Sequence, residues 1–114
     1  MEYVDVYRVE KRGHGPFRND GAALCMCSKH PTPQYDAGLP EMEYEEILPY
    51  RFGCPTSEAM KEWITKPAEL AKRGYKVSLY KAKKKYVVSS EIQSTFIKRH
   101  AKKIKEWSVV DFVS

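Results

Sequence analysis

The 114-residue chain has no apolar run approaching the roughly eighteen residues that a membrane-spanning helix needs. Its first residues, Met-Glu-Tyr-Val-Asp-Val, carry acids where a secretion signal carries bases. A cytoplasmic location without membrane contact is therefore expected. Cysteine is scarce: the three present, an odd number, argue against a disulfide framework and for reduced thiols. No internal repeat or low-complexity segment appears, which removes solenoid and linker architectures. Acidic residues are scarce in one half only. Residues 1–65 hold seven Lys/Arg against eleven Asp/Glu, a net −4, whereas residues 66–114 hold thirteen against four, a net +9. Charge segregated in this way attracts nucleic acid, nucleotides or an acidic protein over a Debye length of about 8 Å.

What is present suits one folded domain over 1–114. Eight tyrosines, four phenylalanines and two tryptophans supply the aromatic surface that disordered chains lack. Val4 to Arg18 opens the chain as a strand of period two running into a Gly13-His14-Gly15-Pro16 turn. Arg8 on that strand, with His14 and Arg18 beyond it, forms the candidate ligand-binding set, presenting donors to an anionic group. From Asn19 to Pro40 the chain is rich in proline and glycine and reads as a long loop, followed by the acidic run Glu41 to Glu46. Thr56 or Ser57 caps a helix that carries Met60 and Trp63 inward and runs to about Thr65. Pro67 starts a second helix, to Arg73, which Gly74 stops.

Tyr75 to Ala82 alternates as a strand, and Lys83-Lys84-Lys85 reads as a hairpin turn into a partner strand, Tyr86 to Ser89. Ile92, Phe96, Ile97, His100, Ile104 and Trp107 recur at helical spacing, which predicts a helix from about Ser90 to Glu106, although Glu91 to Ile97 suits a strand as well. A final strand is expected over Ser108 to Val113. The fold class that results is α+β, a small single domain with an antiparallel sheet and two to three helices.

Two constellations carry possible chemistry. Cys25, Cys27 and His30, joined by Cys54 or His14, have zinc-binding atoms but lack the second closely spaced pair of a zinc ribbon, so no metal site is assigned, and the cysteines read as small buried apolar residues. Lys83, Lys84, Lys85, Lys98, Arg99, Lys102 and Lys103 form a basic face if the lysine turn and the last helix are neighbours. Tyr80 and Tyr86 lie among these cations, as in single-strand nucleic-acid binders.

The elements Tyr7-Arg8-Val9-Glu10, Gly13-x-Gly15-Pro16-Phe17-Arg18, Phe52-Gly53-Cys54-x-Thr56-Ser57, Trp63, Leu70 and Gly74-Tyr75-x-Val77 occur in this order. In them the chain resembles small proteins carried by bacteriophages and mobile elements, which open with a Tyr-Arg-Val-Glu strand and a Gly-Pro-aromatic turn. That resemblance implies a phage-type accessory protein in the host-cell cytoplasm that acts by binding, inhibiting a host protein such as a defence-system component or sequestering a nucleotide. In scattered positions the chain is also similar to ADP-ribosyltransferases. This second resemblance implies NAD as cofactor, with Arg8 on its phosphates, His14 at the ribose or base, Ser94-Thr95 or Thr56-Ser57 as the polar pair, and Glu91 as the catalytic carboxylate. A third reading is nucleic-acid binding through the lysine face.

Overall fold

Strand β1 (Tyr3–Glu10) divides its side chains between two environments, as period two requires. Val6, Arg8 and Glu10 lie on one face, while Tyr7 and Val9 lie on the other and pack with the helices. The computed structural model describes residues 2–11, 50–90 and 93–114. Within them β2 (Tyr50–Gly53) is followed by helices α1 (Ser57–Trp63) and α2 (Pro67–Lys72), then β3 (Lys76–Lys83) and β4 (Val87–Ser89). The chain ends with β5 (Ser94–Ile97), β6 (Ala101–Ser108) and helix α3 (Val109–Val113). Single 3-10 turns at Lys84–Tyr86 and Lys98–His100 join β3 to β4 and β5 to β6.

The strands form two antiparallel sheets, ordered β1-β3-β6 and β2-β5-β4. The first runs in register from Tyr3↔Lys83 to Glu10↔Lys76 and, on the other side of β3, from Lys76↔Ser108 to Ala82↔Ala101. The two sheets are tied where Tyr7 and Cys54 exchange backbone hydrogen bonds of 2.8 and 2.7 Å. One core lies between the helices and the first sheet and includes Val9, Met60, Trp63, Leu70, Val77 and Phe112. A smaller one, Val6, Tyr80, Ala82 and Phe96, lies between the sheets.

Both early helices form for the reasons the sequence predicts. Thr56 Oγ1 accepts from the Ala59 N–H at 3.1 Å, Glu58 sits in the first turn, and Met60 and Trp63 are buried. Pro67 occupies the first turn of α2. Its far end is a Schellman cap: Gly74, at φ +89°, donates to Ala71, and Tyr75 donates to Leu70, both at 3.0 Å.

The α+β expectation is corrected. The fold is predominantly β, and its three α-helices among the described residues have seven, six and five residues. The predicted helix over 90–106 is instead β5, a 3-10 turn and β6, and the predicted strand Ser108 to Val113 is capping residue Ser108 followed by helix α3. Lys102, Lys103 and Lys105 populate the solvated edge of a sheet, where exposed lysines also discourage pairing with other chains. Helical spacing and a charged edge strand look alike in this stretch, and the open side of β3 decides between them by supplying a pairing partner. The predicted lysine hairpin is corrected too. Lys84–Tyr86 does not fold β4 back onto β3 but carries the chain across to the second sheet, where β4 pairs with β5.

Candidate functional site

Arg8 and Glu10 are two residues apart on β1 and thus share a face, and both are buried, at 4% exposure each. Arg8 Nε donates to Glu10 Oε1 at 3.2 Å, and Arg8 Nη1 donates to the Phe52 carbonyl at 2.7 Å. Across β3, Ser78 Oγ donates to Glu10 Oε2 at 3.0 Å, and the Tyr80 hydroxyl lies 2.7 Å from Oε2 and 2.9 Å from Oε1. Lys103 Nζ completes the cage at 2.9 Å, with Lys98 Nζ farther out at 3.7 Å. The register shift between Leu79 and Tyr80 places Lys103 rather than Ile104 opposite Tyr80, and Ile104 is left exposed as the extra residue.

Burial by itself raises a carboxyl pKa. In Glu10 the hydrogen bonds from Tyr80, Lys103 and Ser78 and the Lys98 charge outweigh it and hold the group at about 2. Tyr80 is pushed above the ordinary phenol value, first by burial and then by donating to that carboxylate. Lys103 is held above its ordinary value, because Glu10 and Glu106 outweigh its desolvation.

A second cluster lies where the two 3-10 turns meet. Tyr86 and His100 stack with centroids 3.8 Å apart and planes 11° from parallel, which pins Lys84–Tyr86 against Lys98–His100. Lys85 Nζ lies 5.1 Å from the centre of the Tyr86 ring. His100 titrates below the ordinary histidine value, since packing desolvates its charged form and Arg99, Lys83 and Lys85 repel a further positive charge. Lys83, Lys85 and Arg99 have no carboxylate partner among the described residues.

The basic set read from the sequence is brought together in part. Lys83, Lys85 and Arg99 surround the Tyr86–His100 stack, while Lys84 pairs with Glu2 at 3.1 Å. Lys98 and Lys103 turn toward Glu10, and Lys102 falls on the opposite face of β6, across from Lys81. Arg8 lies inside the sheet pair, donating to Glu10 and to the Phe52 carbonyl. His14, Arg18, Glu91, Cys25, Cys27 and His30 lie outside the described residues. Cys54 is a buried free thiol, raised above its ordinary value by burial and by Glu62. Among the described residues no three His, Cys, Asp or Glu side chains come together as metal ligands. Glu10, which organises the polar interior, was not singled out as a site residue. Its signal was its parity: Glu10 lies two residues from Arg8 and faces a β3 that offers Ser78 and Tyr80 on the same side.

A sequence profile matches residues 1–110, nearly the full chain. The chain belongs to the Bacteriophage T4 Y00F protein family. No curated protein and no solved structure matches it. The family match supports the phage resemblance drawn from the Tyr7-Arg8-Val9-Glu10 opening and carries nothing toward the transferase resemblance. Among the described residues no helix is long and apolar enough to cross a membrane.

Proposed function

We propose that this phage-family protein acts as a binding module for the phosphate backbone of nucleic acid, through the cationic cluster around Tyr86 and His100. The observation that carries this reading is the stack itself, which holds two separate turns together and gathers exposed Lys85 and Arg99 and half-buried Lys83 around it, without acidic partners among the described residues. A fixed group of cations loses less conformational freedom on meeting a polyanion than scattered lysines do. Host-protein inhibition and nucleotide sequestration remain alternative forms of action by binding. Nucleotide binding at Arg8 and the NAD-dependent transfer both ask Arg8 for phosphate contacts, and its guanidinium is buried against Glu10 and the Phe52 carbonyl.

Fluorescence anisotropy with a labelled oligonucleotide, single-stranded and duplex, tests the proposal. For duplex, three phosphate contacts give a slope of log K against log salt of roughly −3. Lys85→Glu with Arg99→Glu lowers affinity by about tenfold or more at low salt. An affinity that does not respond to salt, or that survives the double charge reversal, overturns the reading.

A further inference from the structure

A cleft of about 560 Å³ is lined by Tyr3, Val4 and Asp5 of β1, by Val87 and Ser89 of β4, and by Pro55, Lys81 and Lys84. Both strands are sheet edges. On β1, Tyr7 directs its N–H and C=O outward to Cys54, and Glu2 directs its C=O inward to Lys84. Antiparallel alternation then turns the backbone groups of Tyr3 and Asp5 outward as well. On β4, Ser90 donates to the Gln93 carbonyl at 2.8 Å, so this pair is a hydrogen-bonded one and Val88↔Thr95 is the next. Val87 and Ser89 therefore turn their N–H and C=O away from β5. All four of these residues, Tyr3, Asp5, Val87 and Ser89, are among those lining the cleft, and their outward backbone groups have no backbone partner among the described residues.

Charge does not select the occupant. Lys81 pairs with Asp5, and Lys84 pairs with Glu2, so the walls are electrically balanced. What the cleft offers is two residues on each strand whose backbone donors and acceptors are unpaired among the described residues, beside the apolar surfaces of Tyr3, Val4, Pro55 and Val87. We propose that this cleft docks an extended peptide segment of a partner protein, with apolar residues at every second position, which adds as a strand to the open edge of β1. Such strand addition takes affinity from main-chain pairing and specificity from alternate side chains. The volume lies within the range of ligand-binding clefts and admits several residues of extended chain.

The test pans a library of random decapeptides against the full chain and measures the selected peptide by calorimetry and hydrogen exchange. Exchange at the Tyr3 and Asp5 amides is expected to slow when the peptide binds. N-methylation of the peptide at alternate residues is expected to cost about tenfold per methyl in one register and to leave affinity nearly unchanged in the other. Asp5→Pro removes an outward donor without breaking the β1–β3 ladder and is expected to abolish binding, whereas Asp5→Asn retains it. Failure to select any peptide, equal tolerance of both N-methyl registers, or protection elsewhere overturns the proposal. So does a concentration-dependent dimer in sedimentation that Asp5→Pro dissolves, because the occupant is then a second copy of this chain.

Discussion

Glu10 is a carboxylate held inside a mainly β protein by Arg8, Ser78, Tyr80 and Lys103. Its folded value of about 2 lies below the ordinary 4.5, so its contribution to stability is fully present above the unfolded value and is lost as pH falls from about 4.5 toward 2. The shift corresponds to stabilisation on the order of 3 kcal/mol. Urea unfolding followed against pH is expected to show that loss, and Glu10→Gln is expected to flatten the acid limb while lowering stability at pH 7 by about 3–5 kcal/mol, since Arg8 is left as a buried charge without its carboxylate. Gly53 is constrained differently. A Cβ there would meet Val6 Cγ1 at 2.5 Å and the Tyr7 carbonyl oxygen at 2.7 Å, so Gly53→Ala is expected to cost about 1–3 kcal/mol in the same assay. His100 supplies a pH signature of binding. It is neutral more readily than an ordinary histidine because of its packing and its cationic neighbours, and a nearby phosphate reverses that preference. Oligonucleotide affinity is expected to strengthen as pH falls below the ordinary histidine value, and His100→Ala is expected to remove that trend.

At the scale of elements, the parts with local punctuation were legible in the sequence. Thr56, Pro67 and Gly74 each act through a backbone group within a few residues, so α1 and α2 could be read from spacing alone. Thr56→Ala is expected to lower stability by about 1 kcal/mol through loss of the cap to Ala59, measured by thermal or urea unfolding. Residues 90–113 were misread because the information that decides them is not local. Phe96 is buried by meeting Val6 and Tyr80 from another sheet, and β6 is a strand because β3 has an open side. The site divides along the same line. Lys83, Lys85 and Arg99 were identifiable as cations, but their assembly depends on Tyr86 meeting His100, fourteen positions away. Arg8 was placed correctly on a strand, and its burial followed from Glu10, Phe52 and Tyr80, of which two are more than forty residues distant.

Over the whole molecule, the first sheet lies between a helical layer and a second sheet, and the Tyr7–Cys54 hydrogen bonds join the two sheets. Cys54 sits at that junction with no exposed surface, and burial together with Glu62 raises its thiol above the ordinary value. A thiol in that setting is protonated and shielded, and both conditions suppress nucleophilic attack. Alkylating reagents therefore reach Cys54 only in molecules whose sheets have separated. Modification of its peptide, followed by mass spectrometry, is expected to proceed at the rate or population of opening and to accelerate in Glu10→Gln. The junction thus carries its own chemical clock, one that counts openings of the framework without any label being engineered into it.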